Sequence, residues 1–307
     1  MPERSIHLPD VRERAQAAFL GLAVGDALGA TVEFMTRSEI QAAHGVHREV
    51  VGGGWLRLPA GKVTDDTEMS LVIARSIAAR GEFAARPAAE GLAAWLRKHP
   101  VDVGNTCRRG IQRFMVEGTL EAPYSPGSAG NGAAMRMVPI ALATLGDEAL
   151  LERRAVEQGH LTHTHPLSDA ACLLVGQLLH LAVLGQSLGQ LRSAAEEATV
   201  RCAKLRFEPY RGLATGYVVD TMQTVLHCFF KTESFEACLV ETVNQGGDAD
   251  TTGAIAGALA GAYYGLEAIP RRWTRRLERA VMAEIAALAP TLVELSPLGR
   301  GGAPAAR

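Results

Sequence analysis

Two short acidic segments, separated by most of the chain, contain the residues best suited to chemistry. Residues 64–68 are TDDTE, and residues 246–252 are GGDADTT. Each segment combines two or more carboxylates with hydroxyl side chains, and hard divalent cations prefer oxygen ligands of this kind. If folding brings the segments together, their aspartates crowd one point, and bound cations are the simplest way to neutralise them. The pattern therefore predicts a site for two metal ions.

Each acidic segment also has a simpler interpretation. Thr and Asp are favoured helix N-caps and acids favour the first helical turn, so residues 64–68 are equally well explained as a helix start. Two adjacent aspartates nevertheless exceed what one cap requires. The simpler interpretation of residues 246–252 is an acidic surface loop. That alternative is weaker, because apolar segments flank the turn and Gly246 and Gly247 allow a sharp bend before it.

Three further acids are candidates for supporting or catalytic roles. Asp26 lies within an apolar helical stripe, which favours a hydrogen bond to loop backbone. Glu33 follows that helix and is placed to approach metal or substrate, and spacing leaves both roles open. Asp102 follows Pro100, and its sequence context favours capping of the next helix. General-base catalysis from the wall of a pocket is the alternative role for Asp102.

A small-residue loop and a histidine pair complete the candidate motifs. The backbone N–H groups of residues 127–136, GSAGNGAAMR, suit a diphosphate, although a tight turn explains the loop equally well. The loop matches neither common glycine-rich nucleotide motif. His163 and His165 lie two residues apart. Without further ligands at zinc spacing, they favour helix capping or ligand contact over metal binding.

Composition excludes several functional classes. The net charge is −2 and no long basic run occurs, which argues against non-specific nucleic-acid binding. The five cysteines form no CxxC pair and are interpreted as reduced core thiols, which favours the cytoplasm. We predict no signal peptide, and no run of about 18 apolar residues is long enough for a transmembrane segment. Residues 253–265 are apolar and rich in small residues, which predicts a buried, closely packed helix.

Helical spacing of apolar residues dominates the chain, whereas the alternation typical of strands is nearly absent. We expect an all-α fold in one domain over residues 1–307, with flexible ends at 1–10 and 297–307. The predicted helices cover residues 12–27, 67–79, 87–98, 104–117, 131–144, 148–158, 167–184, 189–203, 213–230, 234–243, 250–264 and 271–288.

Taken together and in this order, four motifs resemble the ADP-ribosylglycohydrolase family. They are GLAVGDALG at 21–29, TDDT at 64–67, GNGAAMR at 130–136 and QGGDADTTG at 245–253. The resemblance runs from about residue 14 to about residue 287. It implies a compact orthogonal helical domain with a binuclear metal site in a central cleft. The family's two divalent cations are usually Mn²⁺ and sometimes Mg²⁺.

Narrower motifs at residues 32–36, 52–56, 100–110 and 220–226 are most similar to a bacterial branch of that family. This likeness implies removal of ADP-ribose from an arginine of dinitrogenase reductase, the nitrogenase iron protein, which restores that protein's activity. It also implies regulation by a PII-type signalling protein and peripheral recruitment to the membrane. Residues 146–160 and the tail after Leu295 depart from the family pattern, which bears on partner docking.

The resemblance also assigns roles to individual residues. Glu33 corresponds to an acidic residue near the metals and the ribose, and Asp102 to a catalytic base; either acid is a candidate for moving the proton that releases the guanidine. The implied metal ligands are Thr64, Asp65, Asp66, Asp248, Asp250 and Thr251. The implied ADP-ribose site comprises Gly104, Asn105, Gly130, Asn131, Gly132, Ala133, Met135 and His165.

Two other functions stay open. The first alternative is an enzyme that cleaves another ADP-ribosyl linkage, namely one to serine, in O-acetyl-ADP-ribose or to a nucleobase. A non-catalytic role, in ADP-ribose binding or as a crystallin-like protein, is the second alternative. The complete set of acids argues against the non-catalytic role, because a retired enzyme would be free to lose some of them.

Overall fold

α-Helices form nearly all the regular structure of residues 7–301, the part of the chain that the computed structural model describes. No strand occurs in that range, where extended pairing is limited to isolated bridges, so the all-α prediction is confirmed. The helices are α1 (Leu8–Gly29), α2 (Arg37–His44), α3 (Asp65–Arg80), α4 (Ala85–Leu96), α5 (Asn105–Glu117), α6 (Val138–Ala143), α7 (Glu148–His160), α8 (Pro166–Val183), α9 (Leu188–Arg201), α10 (Val218–Lys231), α11 (Phe235–Val243), α12 (Ala249–Tyr264), α13 (Arg271–Thr274) and α14 (Arg279–Leu295).

The centre of the molecule is an antiparallel pair formed by α1 and α12. Gly21 lies against Gly257, and Gly25 lies against Gly253. A Cβ atom at either glycine of α1 would overlap a carbonyl oxygen of α12, so the two backbones approach more closely than side chains normally allow. We call this contact the glycine seam. The predicted close packing of residues 253–265 is confirmed.

The remaining helices surround that pair and share one hydrophobic core. Helices α8, α10 and α11 pack on α12, whereas α14, α3 and α6 pack on α1. In the described chain, α8 has the length and apolar composition of a membrane span, with a mean hydropathy of 1.4. Because 61% of it is buried inside the protein, α8 has the pattern of a core helix.

Most predicted helices are present, and the differences have local causes. The helix predicted over 131–144 is wrong in its first half, because residues 130–137 form turns and α6 begins at Val138. The helix predicted over 271–288 is two helices, α13 and α14, with a break between Thr274 and Arg279. Sequence analysis missed α2, a short helix that buries only Ile40 and starts with a capping box at Thr36.

The predicted flexible ends lie partly outside the described residues, since 1–6 and 302–307 are not described. Within the described part, α1 already begins at Leu8. Near the other end, the backbone N–H of Leu298 donates to the carbonyl oxygen of Leu145.

Candidate functional site

The two acidic segments of the sequence meet in space where α3 and α12 begin. The Thr64 hydroxyl lies 3.2 Å from Asp66 Oδ2 and 3.5 Å from Asp250 Oδ2, so it contacts a carboxylate of each segment. On the α12 side, carboxylate oxygens of Glu33, Asp248 and Asp250 all lie within 4.8 Å of one another. The prediction that folding joins these remote acids is therefore confirmed.

Helix capping does not explain either acidic segment. Thr64 and Asp248 occupy the N-cap positions of α3 and α12, but neither side chain makes a capping hydrogen bond. Asp250 is buried, with 2% of its surface exposed, so the second segment is not a surface loop. Residues 64–68 do begin a helix, as the simpler interpretation expected, although Thr64 makes no capping bond, whereas the surface-loop interpretation of residues 246–252 is wrong.

Asp26, on α1, holds the start of α3 in place through hydrogen bonds. Its carboxylate accepts hydrogen bonds from the backbone N–H and the hydroxyl of both Thr64 and Thr67. Burial raises the pKa of Asp26 to about 6, and these hydrogen bonds act in the opposite direction. The predicted role of Asp26 as a hydrogen-bond acceptor for loop backbone is confirmed.

The clustered acids resist ionisation together. Burial, reinforced by the nearby Asp102 carboxylate, raises the pKa of Asp65 to about 7 and that of Glu33 to about 8. Burial, followed by neighbouring carboxylates, also raises the pKa values of Asp66 and Asp250 well above the usual range. Without a counter-charge, several of these groups would have to stay protonated at neutral pH.

One buried atom in this cluster is unsatisfied. Asp66 Oδ1 is buried and has no hydrogen-bond partner. Buried carboxylate oxygens are normally paired, so an orphaned one marks a position where a ligand would compensate it. Together with the crowded carboxylates, it fits hard divalent cations, which take oxygen ligands. The donor set is therefore suited to the metal ions that the sequence predicted.

A cavity of about 590 Å³ opens beside the acids. Both predicted catalytic acids and most residues predicted to bind metal or ADP-ribose line it, namely Glu33, Asp65, Asp102, Gly104, Asn105, Gly130, Asn131, Gly132, Met135, Asp248, Asp250 and Thr251. Thr64, Asp66 and Ala133 are fully buried and are not among its lining residues. The site thus places an acidic cluster next to a chamber lined partly by glycine-rich backbone.

The glycine-rich loop at 130–136 is tied to the acids. Asn131 Nδ2 donates to Asp248 Oδ2 at 2.8 Å and to Thr221 Oγ1 at 3.0 Å. The loop is also held from inside by Arg136, which is fully buried and donates to the carbonyl oxygen of Gly132 at 2.8 Å and to Thr162 Oγ1 at 2.8 Å. These contacts fix the loop relative to the acids and leave residues 131–137 outside the following helix.

His163, rather than His165, is the histidine among the cavity-lining residues. A Cβ atom on Gly132 would lie 2.9 Å from His163 Cε1, so the ring packs directly on the loop backbone. Burial, followed by the Arg136 charge, lowers the pKa of His163 to about 3, so its ring is neutral. Sequence analysis left His163 out of the site, because two histidines in one motif do not reveal which one faces inward.

His165 caps a helix. It occupies the N-cap of α8, and its Nδ1 accepts a hydrogen bond from the Leu167 N–H at 3.1 Å. Its ring also stacks on Tyr124 with centroids 5.6 Å apart. The capping interpretation is confirmed for His165, whereas its contact with ADP-ribose stays a prediction.

Asp102 is not a helix cap, and the interpretation that sequence favoured is wrong. The N-cap of α5 is Gly104, two residues later. The backbone N–H of Gly104 donates to Asp65 Oδ2 at 3.0 Å, which ties this loop to the acidic cluster. Asp102 lines the cavity, and its pKa is raised by burial. Its position is compatible with the alternative role as a general base.

Sequence analysis also missed two aromatic residues at the cavity, Phe34 and Trp55. Trp55 Nε1 donates to Glu33 Oε2 at 2.6 Å, and the two aromatic rings lie 5.3 Å apart between centroids. Both lie in the branch motifs at 32–36 and 52–56, but those motifs did not indicate a place at the cavity, because only the fold brings their two loops together.

Comparison with known proteins finds relatives that match nearly the whole chain. The ADP-ribosylglycohydrolase family model matches residues 7–300. An ADP-ribosyl-[dinitrogen reductase] glycohydrolase from Rhodospirillum rubrum is 56% identical over 94% of this chain and 99% of its own length. An ADP-ribosylarginine hydrolase from Pseudomonas putida is 32% identical over 86% of this chain and 74% of its own length. A solved structure described as an ADP-ribosylglycohydrolase-related protein complex has a TM-score of 0.84 and 35% identity, covering 94% of this chain and 99% of the solved chain.

Proposed function

The chain belongs to the ADP-ribosylglycohydrolase family, and on that premise we propose that it removes ADP-ribose from an arginine of dinitrogenase reductase and so restores that protein's activity. The observation that carries this proposal is the meeting of the two acidic segments beside a cavity large enough for a nucleotide-sugar. The Rhodospirillum rubrum relative is named for the same protein substrate, and the Pseudomonas putida relative for an arginine linkage.

The family uses divalent metals, and this chain has an acidic cluster suited to them. We propose two cations, Mn²⁺ or alternatively Mg²⁺, since both accept these oxygen ligands. The residues that would hold them are Thr64, Asp65, Asp66, Asp248, Asp250 and Thr251. When bound, such cations neutralise the carboxylates, polarise ribose hydroxyls and lower the pKa of a water.

The diphosphate would be held mainly by backbone. The loop from Gly130 to Met135 and Asn105 at the start of α5 offer N–H groups suited to it, and Gly104, whose own N–H is donated to Asp65, lines the same cavity. Asn131 would keep this loop at a fixed distance from Asp248 through its hydrogen bond. His163 is neutral and buried against Gly130 and Gly132, which keeps that wall of the cavity rigid.

The reaction replaces the bond between ribose C1″ and the guanidine nitrogen with a bond to a water oxygen. Asp102 would accept one proton from the attacking water and return it to the leaving guanidine nitrogen as the bond breaks, so that one water is added overall. Glu33, fixed by Trp55, would orient the ribose on the side of Asp248 and Asp250. The products are ADP-ribose and an unmodified arginine.

The test is release of ADP-ribose from arginine-linked and serine-linked peptides, each with Mn²⁺ and with a chelator. We expect rapid, Mn²⁺-dependent release from the arginine-linked peptide only. Faster release from the serine-linked peptide would transfer the proposal to another linkage. Binding of ADP-ribose without any release would favour a non-catalytic protein.

The cellular setting is also a proposal. Cys107, Cys172, Cys228 and Cys238 are buried free thiols, and Cys202 is a partly buried one, which supports the reducing cytoplasm. Regulation by a PII-type protein and peripheral recruitment to the membrane stay predictions. Co-sedimentation of the purified protein with membranes, with and without a PII protein, tests both.

A further inference from the structure

The cavity has an aromatic rim next to its acidic wall. Phe34 is 64% exposed and Trp55 is 53% exposed, and both line the cavity. The other two tryptophans of the chain, Trp95 and Trp273, are buried. Large aromatic side chains left this exposed, with their rings in contact at a cavity mouth, are better explained by a ligand than by packing.

Two separate backbone segments hold these rings in place. Phe34 has a positive φ of 63°, an unfavourable conformation for a bulky residue, and its N–H donates to the carbonyl oxygen of Gly247 at 2.6 Å. Trp55 follows three glycines with positive φ, and a Cβ atom at Gly54 would collide with the carbonyl oxygen of Ala30. The rim is therefore built onto the same turns that carry the acids.

The chemistry of the rim favours a flat cation. The indole N–H of Trp55 is already donated to Glu33, so the exposed part of the ring offers its π face rather than a hydrogen-bond donor. Aromatic faces attract cations, and the acids Glu33 and Asp102 line the same cavity. A guanidinium group is planar and delocalised, stacks on aromatic faces and pairs with carboxylates.

We propose that Phe34 and Trp55 form a guanidinium clamp, which binds the side chain of the modified arginine and selects arginine-linked over hydroxyl-linked ADP-ribose. This inference rests on the proposed function and adds the residues that set its linkage specificity. An ADP-ribosylated serine has no cation to place between ring and carboxylate, so it gains nothing from the clamp. The clamp contacts the acceptor side of the scissile bond, whereas the glycine-rich loop serves the nucleotide side.

Kinetics of Trp55 variants separate the ring face from the indole N–H. Trp55→Leu removes the face, whereas Trp55→Phe keeps a face and removes the hydrogen bond to Glu33. We expect Trp55→Leu to raise KM for an ADP-ribosyl-arginine peptide about tenfold and Trp55→Phe to raise it less than about threefold, while kcat falls in both variants because Glu33 is no longer fixed. The dissociation constant for ADP-ribose alone should change less than about twofold in both variants.

Phe34→Leu is the second clamp variant, and Val116→Ala is the matched control, since Val116 is 85% exposed on α5. Phe34→Leu should raise KM for the arginine-linked peptide in the same direction, and Val116→Ala should leave it unchanged. The proposal is overturned if Trp55→Phe raises KM as much as Trp55→Leu. It is equally overturned if ADP-ribose binding weakens in parallel with KM.

Fluorescence tests the clamp without turnover. Because Trp55 is the exposed tryptophan, agmatine, a small guanidinium compound, should change the emission of the ADP-ribose complex in a saturable way. Trp55→Phe should abolish that response, and Phe34→Leu should weaken it. A response that survives in Trp55→Phe, or none in the wild type, would sink the clamp. Failure to hydrolyse arginine-linked substrate would instead sink the proposed function, so the two failures are distinguishable.

Discussion

The glycine seam and the acidic cluster are built on the same two helices, yet they differ in how their polar groups are satisfied. Along the seam, α1 and α12 meet backbone to backbone and their amides are paired within the helices. At the end of the seam, Asp250 and Glu33 are crowded among other carboxylates with raised pKa values, and Asp66 Oδ1 has no partner. The tightly packed region holds in place the charges that repel one another.

This difference indicates a division of labour between stability and function. Crowded acids destabilise the metal-free protein, because each must either stay protonated or repel its neighbours. Close packing of the seam stabilises the native state enough to keep the acids together. Functional sites commonly contain buried, unpaired acids of this kind, which the rest of the fold avoids. Changes to the seam should therefore affect folding, whereas changes to the acids should affect activity.

The largest effect is expected from enlarging a seam residue. Gly25→Val places a side chain where the carbonyl oxygen of Gly253 lies, and neither backbone can move without separating the helices. Overpacking costs about 1–3 kcal/mol where side chains can adjust, and more where only backbone is present. We expect Gly25→Val to yield no folded protein, as measured by circular dichroism and size-exclusion chromatography.

Gly189 provides the control for that change. It lies in α9, and the nearest heavy atom to an added Cβ atom is Ser187 Oγ at 3.9 Å. Gly189→Ala should therefore be neutral or stabilising by up to about 1 kcal/mol. If Gly25→Val melts at the wild-type temperature, the seam does not hold the site together.

The next effect concerns one carboxylate of the acidic cluster. Asp250→Asn keeps the shape of the side chain and removes its charge, so we expect turnover to fall about 10³-fold while the fold persists. In the presence of a chelator the variant should melt above the wild type, because one repelling charge is gone. Glu117→Gln, at an exposed position on α5, is the control and should match the wild type in both assays.

The pH dependence of stability should report the same repulsion. The folded pKa values of Asp26, Asp65 and Glu33 are raised to about 6, 7 and 8. A raised carboxyl pKa contributes stability below the unfolded value, and that stability is lost as pH rises through the folded value. The chelated protein should therefore lose stability between about pH 4 and 8, and Mn²⁺ should raise the melting temperature more at pH 8 than at pH 6. An equal increase at both pH values would contradict the crowding of ionised acids.

The smallest effect is expected at the link between loop and acids. Asn131→Ala removes the hydrogen bonds to Asp248 and Thr221 but no predicted metal ligand. We expect ADP-ribose to bind about tenfold more weakly, because the loop is no longer held against the acids. Calorimetry with ADP-ribose measures this, and Mn²⁺ binding to the same variant should stay close to wild type. A loss of Mn²⁺ binding instead would make Asn131 part of the metal site.

The helices were predicted well because they depend on local pattern. The joining of the acids was predicted because each segment has more carboxylates than a helix start needs. Apolar periodicity defines α1 and α12, and the repeated aspartates exceed what a cap needs. The interpretations of Asp102 and of residues 131–137 failed for a different reason. A proline followed by an acid resembles a helix start, and alanine-rich residues resemble a helix, but tertiary contacts to Asp65 and from Arg136 determine the structure there.

Residues that act across distant loops were not predictable from sequence. Trp55 reaches Glu33 only because the glycine turn before it fits against the end of α1. His163 and His165 are the same residue type two positions apart, so the sequence does not show which ring faces the cavity. The structure decides this by placing His165 at the N-cap of α8. Burial and side-chain orientation are tertiary properties. A single sequence therefore indicates most residues of this site but not which side chains face the cavity.

We propose that the acidic segments at 64–68 and 246–252 jointly hold two divalent ions beside the nucleotide-sugar cavity. The most direct test is a metal count per chain, by mass spectrometry after Mn²⁺ loading, in the wild type, Asp66→Asn and Asp250→Asn. We predict two ions in the wild type and a reduced count in each variant, with activity lost in parallel. A metal-free preparation that cleaves at the full rate, or a count unchanged in both variants, would contradict the claim.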